Sequence, residues 1–343
     1  MSATTFYVLI TILIVILAVL VFLFFKFQKK KNVDFFETPQ PKKEFKQKDI
    51  KVGVIDIFEL LKLQSEILFE ECARFDNTIF INYPKELPRI YDNSAVSSLQ
   101  ILNLICKFFA FEFQKTTIKV DFSSLRVTDN KILLSISIKS DKFLSQNRIL
   151  AIKNFFDGKQ DFDNANLIKA KKIADKSGNF LHFDTADDKI TINFNSNLVF
   201  YRSSRFSFLK NKYHYNVLIC ENNEAIFNDL SLFFAQINCS VGPNSSWLNI
   251  KKHLDDFIYK PDIVLIEAEI LKNQNELEYL NSIQKNKNAY FAFILRNSND
   301  LKLMKKLNFN AFKIKMPYLY DDLYALCEVV TKAKQTGFLS SFE

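Results

Sequence analysis

From Phe6 to Phe25 the chain runs for 20 residues, almost wholly apolar, without one charged side chain. A run of that length crosses the roughly 30 Å hydrocarbon core of a bilayer as a helix. A cleaved signal peptide would want a positive n-region, a shorter apolar stretch and a small-residue cleavage site. No lysine precedes this run, and Phe22, Leu23, Phe24 and Phe25 close it, so it reads as an uncleaved single-pass anchor. Lys26, Lys29, Lys30 and Lys31 follow at once. Positive flanks stay cytoplasmic, so the expected topology in the cytoplasmic (inner) membrane puts the N-terminus outside and the bulk of the chain inside. The same lysines can hold anionic headgroups at about 1 kcal/mol each. Residues 1–31 are therefore expected as an anchor with a basic flank. Residues 32–53, with Pro39, Pro41, mixed charge and little periodicity, read as a linker.

Of the net charge of +8, the nine lysines and four acids of residues 26–53 account for +5. The +3 left for the remaining chain is not a nucleic-acid footprint. Only 5 of 343 residues are glycine, Gly53, Gly158, Gly178, Gly242 and Gly337, where an ordinary chain carries roughly 7 %. None are spaced as GxG, which excludes a Walker loop and a dinucleotide fingerprint, since both wrap phosphate with backbone N–H groups freed by close glycines. The five cysteines include no CxxC, and no histidine lies at metal-ligand spacing from one. Cys106, Cys220 and Cys327 fall inside apolar runs and read as small buried hydrophobes in a reducing compartment, and no metal or other cofactor is expected.

Residues 54–201 alternate helical and strand patterns. Ile57-Phe58-Leu60-Leu61 and Ile67-Leu68 have helical spacing, Thr78–Asn82 reads as a strand, and Asp92 or Asn93 can cap a long apolar helix. Strands are expected over 116–122 and 131–138, a helix over about 164–176, and a hairpin in NFLHFDTADDKITINFN. Helices on one face of a mixed sheet make an α/β sandwich. The segment VIDIFELLKLQSEILFEECARFDNTIFINYPKELPRIYDNSAVSSLQILNLICKFFAF resembles the opening of the ATP-binding domain of sensor histidine kinases, with their progression into the asparagine-bearing helix. NANLIKAKKIADKSGNFLHFDTADDKITINF resembles their glycine-rich lid, its helix and the final hairpin.

The resemblance covers about 150 residues in its apolar pattern and departs where the family touches nucleotide. After Asn103-Leu104, the family's magnesium-bridging asparagine falls on Lys107, a cation that would repel Mg²⁺. The adenine-binding aspartate falls on Ser140, or on Asp141 if the register slips by one, without the motif's glycines. The lid glycines fall on Asn164 and Asn166, a residue type that tolerates φ > 0 but fills space a phosphate would need. Gly178 stands where a helix C-terminus wants it. Between the anchor and this domain the family places helices bearing a phosphorylated histidine. Here that interval holds no histidine, and His182, His214 and His253 lie far beyond it.

Residues 214–335 carry four buried-strand runs, YNVLIC, PDIVLIE, YFAFIL and AFKIKM, separated by helical stretches. That alternation argues for a doubly wound parallel sheet with its site at the strand carboxyl ends. Those ends resemble the receiver domains of response regulators. Glu221 and Asn222 stand at the acidic pair and Glu267 at the phosphoryl-accepting aspartate. Arg296 stands at the sensing threonine or serine. Pro317 matches the proline after the lysine, which puts Met316 on that lysine with Lys315 one residue away. Glu267 is a methylene too long for the family's in-line attack. The resemblance allows it to imitate a phospho-aspartate, and Arg296 is placed to pair with it and lock the pocket.

The expected architecture is one N-terminal transmembrane helix, an α/β sandwich over 54–201, a connector over 202–213, a flavodoxin-like receiver-type sheet over 214–335 and a tail over 336–343. The chain resembles a hybrid sensor histidine kinase with degenerate ATPase and receiver domains and no phosphoacceptor helices. The resemblance implies a non-catalytic two-component signalling protein in a bacterial inner membrane, contacting a histidine kinase or response regulator and no nucleic acid. A divergent working hybrid kinase in a phosphorelay and a structural scaffold at a membrane assembly are the other readings.

Overall fold

A computed structural model describes residues 53–84, 87–186, 189–201, 213–242, 246–256, 258, 260–283 and 289–335. The apolar run at 6–25, its lysines, nearly all of the linker, the connector at 202–212 and the tail lie outside the described residues. Residues from Gly53 onward form one compact unit.

The unit opens with β1 (Ile55–Asp56) and α1 (Ile57–Cys72). Asp56 caps α1, its Oδ1 accepting from the N–H groups of Phe58 at 3.0 Å and Glu59 at 3.3 Å. Then come β2 (Thr78–Asn82), β3 (Ile90–Tyr91) and α2 (Ser94–Glu112). Asp92 serves as the start signal of α2, accepting from the Ser94 N–H at 3.2 Å. Helix α2 is long and apolar enough to cross a membrane by length and composition, yet it is a core helix. It packs on the sheet, against α1 and against α4, with Ile101, Ile105, Cys106, Phe108 and Phe109 wholly buried.

The first sheet continues through β4 (Thr117–Thr128), β5 (Lys131–Ser140), α3 (Gln146–Phe156), α4 (Ala165–Ser177), β6 (Phe180–Ala186) and β7 (Lys189–Val199). Its strand order is β2-β4-β5-β7-β6, with β2 parallel to β4 and the other pairs antiparallel. Alternation decides which face is covered. Ile118, Val120, Ile136, Ile138, Ile192 and Phe194 turn to the helices, while Ser135, Ser137, Asn193 and Asn195 lie on the other, more exposed face. Polar pairs also sit inside, among them Ser98 of α2 donating to Ser196 of β7 at 2.8 Å. Gly178, at φ 71°, ends α4 in the left-handed conformation that favours glycine.

The second sheet holds β8 (Asn216–Cys220), β9 (Ser240–Val241), β10 (Ile263–Glu267), β11 (Tyr290–Leu295) and β12 (Phe312–Lys315), in the order β12-β11-β10-β8-β9 and parallel throughout. Counted by appearance, that is the 2-1-3-4-5 order of flavodoxin-type doubly wound sheets. Helices α5 (Glu224–Gln236), α6 (Trp247–Asp255), α7 (Gln274–Ile283), α8 (Asp300–Met304) and α9 (Tyr320–Gln335) connect and follow the strands. Every residue of β10 is buried, as expected for strands covered on both faces.

The two sheets are not separately cored. Ile219, Leu265 and Ile294 belong to the same hydrophobic cluster as Ile118, Ile136 and Phe109 of the first sheet. Phe69 of α1, 1 % exposed, packs into the other face of the second sheet beside Leu218, Ile266 and Phe293. Burying a phenylalanine ring is worth about 1.5–3 kcal/mol, so α1 ties the halves together.

Candidate functional site

At the carboxyl ends of β8, β10 and β11 three charged side chains meet. Glu221 follows β8, Glu267 ends β10 and Arg296 follows β11. The two carboxylates are 1 % and 2 % exposed. One guanidinium nitrogen, Arg296 Nη2, donates to Glu221 Oε1 at 2.8 Å and to Glu267 Oε2 at 2.7 Å. The Asn223 N–H also donates to Glu221 Oε1, at 2.8 Å, and Asn222 Nδ2 donates to Glu267 Oε1. Arg296 is fixed from behind by its own N–H, which donates to Asp300 Oδ2 at 2.7 Å.

Burial pushes the Glu221 carboxyl above the ordinary glutamate range, and the Arg296 guanidinium only partly offsets it. Its Oε2 is buried without a hydrogen-bond partner among the described residues. Burial works against the charge on Arg296, but Glu221 and Glu267 together outweigh it and hold the proton more tightly than in water. Cys220, just before the pocket, has its thiol pushed up to about 12 by burial, then by the two glutamates. All five cysteines are free and buried.

This arrangement does not fit Mg²⁺. A divalent ion there needs open carboxylate oxygens, and Arg296 already occupies the space between the two acids. Among the described residues no group of three or more His, Cys, Asp or Glu could hold a metal. Met316, at the position matched to the lysine, is buried as part of the core, and its bond to Pro317 is cis. Lys315 is not brought to the acids. Its ammonium lies 2.6 Å from Glu66 Oε2 and 5.5 Å from the centre of the Phe69 ring, both on α1.

The loops around the pocket are covered by the first half. The Ser298 N–H donates to the Phe69 carbonyl at 3.2 Å, and Asn299 Nδ2 to the Ala73 carbonyl at 2.8 Å. Asn297, 1 % exposed, donates to Asp76 Oδ1 at 3.2 Å and the Asn77 carbonyl at 3.1 Å. Asn223 reaches Thr117 Oγ1 at 3.2 Å. Beside them the Tyr320 N–H donates to the Tyr83 hydroxyl at 2.8 Å, with the two rings 4.8 Å apart. Both hydroxyls of Tyr318 and Tyr320 donate to Asp229 of α5, at 2.8 and 3.0 Å. Lys62 and Arg89 add ion pairs to Asp322 and Asp321.

The positions matched to the nucleotide groove are spread over α2, the end of β5 and the start of α4. Asn103 is half-buried, its Oδ1 unpartnered among the described residues. Lys107 lies 3.6 Å from Glu71 of α1. Ser140 Oγ sits 3.2 Å from Thr116 Oγ1, which also donates to Asp141. Asn164 does not use the left-handed backbone that asparagine tolerates. It is extended, at φ −98°, and its side chain caps α4 by accepting from the N–H groups of Asn166 at 3.0 Å and Leu167 at 3.2 Å. Those helix N-terminal donors are the ones a phosphate would take, and here a neutral side chain holds them.

Four residues that the sequence pattern did not single out pack together between α2, α3 and the start of α4. Phe162, 7 % exposed, lies between Phe108 of α2 and Phe155 of α3, at 6.1 and 5.4 Å between ring centres. The Arg148 guanidinium covers it at 4.5 Å from the ring centre. Arg148 in turn donates from Nε to Glu112 Oε2 at 2.9 Å and from Nη1 to Asp163 Oδ1 at 2.9 Å. The only signals in the sequence are the phenylalanine in a polar stretch, KQDFDNAN, and an arginine in a stretch with too few apolar positions to mark a helix.

No protein-family model matches this sequence, and no curated protein matches it. Among solved structures, full-length ShkA in complex with AMPPNP aligns with 82 % of this chain at 14 % identity and a TM-score of 0.55. The chain spans 58 % of the length of that relative. The mycobacterial sensor histidine kinase MprB aligns with 43 % of the chain and 98 % of its own length, at 15 % identity and a TM-score of 0.30. The catalytic domain of the histidine kinase ThkA aligns with 43 % of the chain and 96 % of its own length, at 13 % identity and a TM-score of 0.32. In fold, the chain resembles sensor histidine kinases.

Proposed function

We propose that this chain is a membrane-anchored, two-component-type signalling protein without phosphotransfer chemistry, which acts by protein contact through an ATPase-like and a receiver-like half. The observation that carries the reading is the Arg296 guanidinium seated between Glu221 and Glu267. It neutralises one of the two charges that would hold Mg²⁺ and stands in the way of a phosphoryl group approaching Glu267. The flavodoxin-type strand order and the acidic residues at the strand carboxyl ends support a receiver-like second half. The Phe162 plug and the capped start of α4 support an ATPase-like first half without nucleotide. The run from Phe6 to Phe25 and the lysines after it support anchoring in the cytoplasmic membrane with the compact unit on the cytoplasmic side. The partner is a histidine kinase or a response regulator.

Labelling tests the inactivity. Full-length protein is incubated with γ-labelled ATP and Mg²⁺, and separately with a small-molecule phosphodonor. No label is expected on the chain in either case, and label that survives gel electrophoresis would overturn the reading. Crosslinking in the native cell, followed by identification of what is joined, tests the partner. Recovery of a kinase or response regulator is expected, and recovery of neither counts against a signalling role.

A further inference from the structure

Sheet edges are where a protein invites or refuses another strand, and among the described residues the edges of the two five-stranded sheets are guarded except at one. Edge strand β2 is covered, with Thr78, Ile79, Phe80 and Ile81 all buried. In the second sheet, β9 has two residues, and β12 has four, of which Lys313 and Lys315 are charged. The projecting end of β4 carries Arg126 and a bulge between Arg126 and Thr128. Strand β6 is neither covered, short nor bulged, and its one charge is Asp184. Its seven residues, FLHFDTA, contain no lysine and no proline and pair with β7 without a register shift. Phe180 is 72 % exposed, and His182, Asp184, Thr185 and Ala186 are exposed too. A groove of about 410 Å³ runs along this edge, walled by Phe156 of α3, by Asp157 just after it and by Lys171 of α4.

The edge is also complementary to itself. We propose that β6 pairs antiparallel with β6 of a second copy of this chain, about a two-fold axis at Phe183, joining the two five-stranded sheets into one. In that register residues whose numbers sum to 366 face each other. His182 then lies opposite Asp184 of the second copy, twice, on the face away from the helices. An imidazole N–H facing a carboxylate is a favourable cross-strand pair. Asp184 uses Oδ1 to accept from the Thr185 N–H at 2.7 Å, which leaves Oδ2 for the histidine. The large, exposed Phe180 falls opposite the small Ala186. Phe183 meets its own equivalent at the axis on the helix side, beside the Phe156 ring it stacks on at 5.5 Å, where the groove gives room. Closed two-fold pairing uses both edges and leaves none exposed.

Sedimentation of the full chain in mild detergent tests this, over concentrations from below to above micromolar. The wild type is expected to dimerise reversibly in that range. His182→Asp sets two carboxylate pairs face to face in each dimer and should raise the dissociation constant about tenfold. Adding Asp184→Lys to it restores opposite charges and should return the constant to within about threefold of wild type. A monomer at every concentration overturns the proposal, as does a dimer indifferent to His182→Asp, or one not rescued by the double change. The register is read separately by oxidising single-cysteine variants with copper phenanthroline, since the native thiols are all buried. Phe183→Cys should crosslink to itself and Ala186→Cys should not. The reverse outcome, or a strand from a different protein crosslinked to β6 instead, overturns the pairing.

Discussion

The space between α2, α3 and the start of α4 and the pocket at the carboxyl ends of the second sheet are both filled by the chain's own side chains, but with opposite chemistry. The first is filled by a ring, Phe162, held under the Arg148 guanidinium. The pocket is closed by a charge, Arg296, held between two buried carboxylates. An apolar plug is stabilised by its own burial and tolerates another apolar residue of similar size. A buried ion triad is stabilised only while complete, because each member removed leaves a charge that burial penalises. The two fillings therefore differ in kind, a tolerant device in one half and a brittle one in the other.

The largest expected effect follows from breaking the brittle device. Arg296→Ala leaves Glu221 and Glu267 facing each other unpaired, and it should cost about 3–5 kcal/mol in denaturant unfolding at neutral pH. The loss should shrink as the pH falls and the acids take up protons. A cost under about 1 kcal/mol would mean that the pocket is hydrated and open. Phe162→Ala comes next, at about 3 kcal/mol, the usual lower bound for truncating a buried phenylalanine, while Phe162→Leu should cost less than half as much. Equal losses for the two changes would contradict the plug as a matter of packing.

Glu221→Gln is smaller and is read through pH. Burial raises the folded-state pKa of Glu221 above its unfolded value, so folding binds that proton more tightly. The resulting stability is complete below the unfolded pKa and is lost as pH rises through the folded one. Wild-type stability should therefore contain a component that falls as pH climbs above the ordinary glutamate range, and the glutamine variant should lack it. An unchanged slope would place Glu221 in a wetter site than its burial indicates. Lys315→Ala should be smallest, under about 0.5 kcal/mol. Its partner Glu66 is a surface carboxylate, and both side chains are more than a third exposed. A loss near that of Arg296→Ala would mean that Lys315 serves the acidic pocket after all.

Strands were the legible part of the fold. YFAFIL is β11 to the residue, and Thr78–Asn82 is β2 to the residue, because buried apolar runs and period-two alternation are local signals. Helix α3 was not legible. QNRILAIKNFF buries only Ile149 and Ile152, and its cap is a single Ser145 hydroxyl accepting from the Arg148 N–H at 3.4 Å. Of the pocket, the pairing of Arg296 with Glu267 was readable from their places at strand ends, but the sharing of Arg296 with Glu221 was not. The cover over it was not, since Asn297 and Asn77 are 220 residues apart in sequence. Lys315 shows the limit of matching by position, because one residue along a strand reverses the side a chain faces.

Nucleotide binding bears most directly on the claim that the ATPase-like half takes no nucleotide. A fluorescent ATP analogue is titrated with Mg²⁺ into the full-length protein, with Phe162→Ala alongside to reveal a groove that only the ring keeps shut. The wild type is predicted to give no saturable signal up to millimolar nucleotide. Saturable micromolar binding by the wild type would contradict the account.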